Sequence, residues 1–413
     1  MDIKIIPSVL CGEVTVPPSK SAAHRALICA ALCDGVSRVT PYCTSKDIKA
    51  TASCLKELGM NIEEDEKGYT LSKGDVVKGG ILNFSESGST ARFLLPIAAA
   101  LGADITGVGE GRLPERPMET LTTLFREHGV EASSDNLPII LKGKMTGGDF
   151  CLPGNISSQY ISGLLLAAPL CDSDVNIIPT TALESVGYID MTIAAMKKYG
   201  VIVEETNNGW RVSKESHYVG ANTKVEGDWS QAAFFMAAAA IGGEVRIHGL
   251  DFASNQGDMA ALDVFAAFGA DISIENDILH IKHGNLRGIE VNAADIPDMV
   301  PAIAVTAAYA SGKTVIHSAE RLRIKESDRI KTTIAILTAM GIKTEERPDG
   351  MVIFGGKPKG AVIDGANDHR IVMAASVAVA FAEGESVIKG CEAANKSYPE
   401  FFSDFRKIGG KTE

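Results

Sequence analysis

Several things are scarce in this sequence, and each scarcity excludes a class of protein. Aromatic residues make up only 6% while Gly is high at 41 of 413, which suggests many turns and small-residue helices. Positive charge is in deficit: 40 Lys and Arg face 52 Asp and Glu, a net charge of −12. Such a surface repels polyanions, so neither nucleic acid nor an anionic membrane is an expected partner. Uncharged apolar stretches such as residues 371–382 fall short of the roughly 18–20 residues that a spanning helix needs. Met1-Asp2-Ile3-Lys4 does not open a basic region with an apolar core behind it, so no signal peptide is expected. The eight cysteines (11, 29, 33, 43, 54, 151, 171 and 391) contain no Cys-x-x-Cys and lie mostly in apolar segments. Reduced thiols in a cytoplasmic protein are the expectation.

Familiar catalytic signatures are missing too. No Gly-x-Ser-x-Gly or His-Glu-x-x-His occurs. Ser311-Gly312-Lys313-Thr314 ends like a phosphate-binding loop, but Ala307 stands where its first Gly belongs, and it follows a helix rather than a strand. Gly107-Val108-Gly109-Glu110-Gly111 lacks dinucleotide spacing. His280 and His283 flank Lys282 in an alternating strand and read as surface residues rather than metal ligands.

What is present is a repeat. The chain has 413 residues, enough for two or three domains, and 41 glycines. Six amphipathic helices each end in a glycine followed by an alternating strand, at Gly59, Gly129, Gly200, Gly269, Gly341 and Gly409, about 70 residues apart. Glycine there is the expected left-handed cap. A second, small-residue helix with its own turn recurs in phase, near Gly35, Gly102, Asp174, Gly243, Gly312 and Gly384. Each unit reads as strand, helix, strand, helix, strand, strand. The fold class is therefore α/β (α+β), built from six βαβαββ-type repeats.

The repeat also indicates where chemistry could sit. The first helix of each unit opens on a polar cluster: Ser19-Lys20-Ser21, Gly88-Ser89-Thr90, Ser157-Ser158-Gln159, Asp228-Trp229-Ser230, Pro297-Asp298 and Asn367-Asp368-His369. Ser, Asp and Gly at such places also serve simply as helix caps. Lys20, Arg25, Arg116, Lys325, Arg329, Arg370 and Lys396 are different, because a cation at a helix N-terminus opposes the macrodipole. An anion held between the two resolves the conflict. With a Debye length of about 8 Å at physiological salt, a local positive pocket survives an acidic surface. Phosphate or carboxylate sites are the reading.

At these openings the chain resembles the enolpyruvyl transferases, and most closely the EPSP synthase branch that uses shikimate 3-phosphate. The matching motifs are Pro18-Ser19-Lys20-Ser21 with His24-Arg25, Ser87-Gly88-Ser89-Thr90-Ala91-Arg92, Glu115-Arg116-Pro117-Met118, Ser157-Ser158-Gln159, and Ser185 with Tyr188-Ile189-Asp190. They continue through Ile296-Pro297-Asp298, Arg323-Ile324-Lys325-Glu326-Ser327-Asp328-Arg329, Asn367-Asp368-His369-Arg370 and Lys396-Ser397-Tyr398-Pro399, spanning essentially the whole chain. The resemblance implies a two-domain inverse α/β barrel with three repeats per domain, residues 1–16 and 226–413 forming one and 17–225 the other. The active site would lie in the cleft between them.

The implied reaction joins phosphoenolpyruvate to the 5-hydroxyl of shikimate 3-phosphate and releases phosphate. By the same resemblance Asp298 is the base, and Glu326 with Lys20 the proton-transfer pair. Lys20, Gly88, Arg116, Gln159, Arg329, His369, Arg370 and Lys396 would hold phosphoenolpyruvate. Ser21, Arg25, Ser157, Ser158, Gln159, Ser185, Tyr188, Asp298 and Lys325 would hold shikimate 3-phosphate. No metal or other cofactor is required, because the cations are side chains, and a cytoplasmic monomer is expected. Asp298 could equally be the N-cap of a helix starting at Met299.

Four positions depart from the family pattern: Glu86 and His24 where Asn is frequent, Ser89 where Thr is usual, and Arg321 where some members use Asn. Two rival functions remain. A UDP-N-acetylglucosamine enolpyruvyl transferase would carry a reactive Cys before the Arg-Pro motif, and residues 107–116 hold none. A non-catalytic anion-binding protein would not need Lys20, Asp298 and Glu326 together.

Overall fold

The computed structural model describes residues 1–413 and divides into two compact units, Met1–Pro17 with Glu226–Glu413 (unit 1) and Pro18–Val225 (unit 2). Pro17 falls with unit 1, because its carbonyl accepts a hydrogen bond from the Asp228 N–H at 2.9 Å. Twelve helices follow in chain order: α1 (Lys20–Ala31), α2 (Lys46–Glu57), α3 (Gly88–Leu101), α4 (Glu119–Glu127), α5 (Ser158–Ala167), α6 (Val186–Lys198), α7 (Trp229–Gly242), α8 (Ala261–Phe268), α9 (Val300–Ala307), α10 (Arg329–Ala339), α11 (His369–Val379) and α12 (Phe401–Lys407). Odd-numbered helices are the first of each repeat and even-numbered helices the second.

Six four-stranded sheets share one pattern. Ile81–Asn83 pairs in parallel with Ile105–Val108, which pairs antiparallel with Ile139–Gly143, and Val130–Ala132 closes the hairpin. A parallel pair needs a helical crossover and an antiparallel pair only a turn, so strand–helix–strand–helix–hairpin follows from connectivity. Three sheets borrow a strand from far along the chain. Ser37–Thr40 pairs with Thr223–Lys224, Glu244–His248 with Cys11–Thr15, and Ser386–Lys389 with Asp2–Ile6. The last repeat is thus completed by the first strand of the chain.

The first helices are the interiors of the units. Every residue of α7 from Trp229 to Ile241 is buried, and α11 is buried along its whole length. Alanines at 237–240, 374 and 375 make α7 and α11 thin enough to be surrounded. In unit 2 a side chain at Gly163 of α5 would collide with the Arg92 carbonyl of α3, so these two helices meet backbone to backbone. The six cap glycines all have positive φ, between +78° and +106°, which an L side chain rarely adopts.

Candidate functional site

Side-chain caps close the N-termini of five of the six first helices. Ser19, Ser87, Ser157, Asp228 and Asp368 accept from backbone N–H groups at Ala22, Thr90, Gln159, Gln231 and Arg370. The exception is α9. A 3-10 turn, Pro297–Met299, precedes it, and its N-cap Met299 makes no side-chain bond. Asp298 is therefore not the cap that the sequence allowed it to be. Its carboxylate accepts from Arg329 Nη1 at 3.0 Å and Arg370 Nη2 at 2.9 Å, with Lys325 Nζ at 3.8 Å.

Around Asp298, unit 1 assembles a charged network. Arg329, 1% exposed at the first position of α10, donates to Asp298, to Glu326 at 2.7 Å and to Asp368 at 2.8 Å. Arg370 also donates to the Ser230 hydroxyl and the Asp298 carbonyl. Ser230 passes its own hydrogen to Asp228 at 2.6 Å. Lys396, buried at the end of a 3-10 turn, donates to the Asn367 carbonyl at 2.6 Å, beside His369 at the start of α11. Burial works against ionising Asp298, but Arg370, Lys325 and Arg329 outweigh it and hold the carboxyl well below the usual range. Burial also opposes charge on Asp368, and Arg329 and His369 prevail there.

Unit 2 assembles a network of another kind. Lys20 opens α1 and pairs with Asp47 of α2 at 2.8 Å. Arg25, 2% exposed, donates to the Thr192 hydroxyl, to the Ser21 and Tyr188 carbonyls and to the Ser162 hydroxyl, and stacks over Phe93. Burial lowers its guanidinium to about 10, still charged at neutral pH. It joins α1, α5 and α6, so much of its donor set is already engaged by the protein. Ser185 precedes α6 with φ of +54°, a strained position for a serine, and Tyr188 follows in the first turn. Ser157 and Ser158 open α5. At Gly88 an added Cβ would lie 2.6 Å from Arg116 Nη1 and 2.8 Å from Arg92 Nη1, so two guanidinium groups face this stretch of backbone. Gln159 accepts from Arg92 at 2.9 Å and donates to the Ser89 hydroxyl at 2.8 Å.

Arginines and lysines laid over helix N-termini, with carboxylates interleaved, suit a reaction that handles anions and moves protons. A family model described as EPSP synthase (3-phosphoshikimate 1-carboxyvinyltransferase) matches residues 5–405. The chain belongs to the EPSP synthase family. EPSP synthases of this kind are transferases, and relatives named 3-phosphoshikimate 1-carboxyvinyltransferase include one from Clostridium novyi, 42% identical over 99% of this chain and 98% of its own length. Another, from Clostridioides difficile, is 39% identical over 100% and 98%. The solved EPSP synthase from Acinetobacter baumannii superposes with a TM-score of 0.84 at 28% identity, covering 100% of this chain and 99% of that one. The enolpyruvyl transferase NikO from Streptomyces tendae shares the fold at a TM-score of 0.82 and 17% identity.

Among the departures from the EPSP synthase pattern, Glu86 folds against Gly111, and Arg321 donates to the Ala294 carbonyl at 2.6 Å. His24 is fully buried with Nδ1 on the Thr51 hydroxyl at 2.8 Å, and burial, then Lys20 and Arg25, keep it well below the usual histidine range. Sequence reasoning gave no role to Asp47, Arg92, Ser230 or Asp368. Ser230 and Asp368 stand inside the helix-opening clusters, and a charge count of those clusters would have marked Asp368, while Asp47 lies in the first turn of α2. Arg92 closes the Ser87–Arg92 motif, but a full turn into α3 it has no local feature that indicates a role. No helix is long and apolar enough to cross a membrane.

Proposed function

We propose that this chain transfers the enolpyruvyl group of phosphoenolpyruvate to the 5-hydroxyl of shikimate 3-phosphate in aromatic amino acid biosynthesis. The observation that supports it most is the Asp298–Arg329–Glu326 cluster, in which one buried guanidinium bridges two carboxylates. Anion binding alone gains nothing from carboxylates there; proton transfer needs them.

In the reaction the hydroxyl oxygen adds to C2 of phosphoenolpyruvate while the methylene carbon takes a proton. The tetrahedral intermediate then expels phosphate, and the methyl group returns a proton to restore the double bond. Asp298 takes the hydroxyl proton, and Glu326 with Lys20 serves the carbon. Clamped by Arg370 and Arg329, Asp298 is a weak base; substrate anions that engage those arginines free it and raise its basicity. Base strength is thereby tied to substrate binding.

Lys20, Gly88, Arg116, Gln159, Arg329, His369, Arg370 and Lys396 hold phosphoenolpyruvate in this reading. Ser21, Arg25, Ser157, Ser158, Gln159, Ser185, Tyr188 and Lys325 hold shikimate 3-phosphate, the 5-hydroxyl lying at Asp298. Arg25, already bound to protein acceptors, contributes chiefly by charge and by placing Tyr188. A cytoplasmic monomer goes with this reading. Phosphate release with both substrates, and none with either alone, is the expected result. Turnover with UDP-N-acetylglucosamine in place of shikimate 3-phosphate would overturn it.

A further inference from the structure

Arg92 stands outside every role assigned above, yet it is 3% exposed, and its Nη1 donates to Gln159 Oε1 at 2.9 Å. Its guanidinium lies 5.4 Å from the centre of the Tyr160 ring, and its Nε is buried with no hydrogen-bond partner. Tyr160 in turn donates from its hydroxyl to the Pro117 carbonyl at 2.6 Å, the residue after Arg116. Both Arg92 and Arg116 present a terminal nitrogen to Gly88.

We infer that Arg92 is a positioning residue that fixes the amide of Gln159 with its N–H group toward substrate and, through Tyr160, steadies the turn carrying Arg116. The argument is one of donor and acceptor count. A primary amide has one acceptor oxygen and two N–H donors, and it can flip. Arginine has no acceptor, so only the amide oxygen can face it. The NH₂ group then points the other way, spending one hydrogen on Ser89 Oγ and leaving the second for an anion. Flipped, the same residue would turn a carbonyl oxygen toward phosphate or carboxylate and repel it. A neutral residue at 92 would permit that flip. Lysine would keep the charge but lose the planar group that stacks on Tyr160.

This rests on the assignment of Gln159 to substrate, and the test separates the two. Steady-state kinetics of Arg92→Met, Gln159→Ala and the double variant give the coupling, since residues acting as one unit are non-additive. Each single change is expected to lower kcat/KM for phosphoenolpyruvate by roughly 10- to 100-fold. The double variant is expected to be no worse than the poorer single, and Arg92→Lys to recover part of the loss. A damaging Gln159→Ala with additive losses overturns the inference alone; a harmless Gln159→Ala sinks the Gln159 assignment and the inference with it. Gln159→Glu provides a check that leaves Arg92 in place. A carboxylate pairs with Arg92 and offers the substrate no N–H, so KM for phosphoenolpyruvate should rise at least about tenfold, with the thermal midpoint held. An unchanged KM in that variant overturns the donor orientation.

Discussion

The two units are built from the same repeat, yet they treat charge differently. In unit 1, Arg329 and Arg370 are bound to Asp298, Glu326 and Asp368, so cation and carboxylate alternate within hydrogen-bond distance. In unit 2, Arg25 and Arg92 donate to hydroxyls, carbonyls and an amide, and both also lie over aromatic rings. Guanidinium groups bound to neutral acceptors keep their field and attract anions. Those bound to carboxylates surrender much of their field but tune the carboxylates' basicity. In the proposed reaction the carboxylate-bound arginines of unit 1 then serve proton transfer as well as binding, whereas Arg25 and Arg92 of unit 2 serve binding alone.

The sharpest way to break that contrast is to remove the carboxylates. Asp298→Ala and Glu326→Ala should each lower kcat by at least about 10²-fold. Because the arginines remain and lose a competing anion, KM for phosphoenolpyruvate should stay level or fall. A raised KM with normal kcat would make unit 1 a binding surface like unit 2.

Arg25→Ala probes the other side. Losing a buried cation should raise KM for shikimate 3-phosphate about tenfold or more. Thr192, Ser162 and the Tyr188 carbonyl still bond to one another without Arg25, so the loss of its own bonds should cost about 1–2 kcal/mol in denaturant unfolding. Unchanged stability would show that these bonds carry nothing.

Acid should separate the units. His24 is neutral in the fold with its pKa depressed, so its contribution is complete above the unfolded value of about 6.5 and declines as pH falls below it. Asp298 and Asp368 are also depressed, and their contribution is lost only as pH drops below about 4. Unit 2 should therefore weaken first. Each unit has one Trp, Trp210 in unit 2 and Trp229 in unit 1, so single-Trp variants can follow them separately by fluorescence. Simultaneous acid transitions would refute the ordering, and His24→Asn should narrow the gap.

The smallest effect concerns the thiols. Cys11 and Cys151 are exposed, one in each unit, while the other six cysteines are buried. A thiol reagent should modify two groups in the native protein with little change in turnover. Rapid loss of a third thiol would report local opening.

The repeat was legible because its markers are local: a cap glycine needs only its own backbone, and a capping Ser or Asp only the next turn. Lys20, Arg329 and Arg370 were legible for the same reason, as cations out of place at a helix start, whereas Asp298 was marked by the resemblance alone. Asp298 kept two readings, since a cap and a base look identical in sequence. Packing chose between them by bringing Arg329 and Arg370 from helices 31 and 72 residues away. Arg92 stood in a matching motif, but its role was not legible, because its partner Gln159 is 67 residues on.

By itself, then, the sequence determined the number of repeats, the places where helices begin and end, and the anionic character of the ligands. All of these follow from local propensity and charge. The tertiary structure alone decided which carboxylate each arginine meets, that the first strand completes the last sheet, and which way the Gln159 amide faces. Hydrogen-bond direction and the electrostatics of burial depend on groups that only folding brings within about 3 Å.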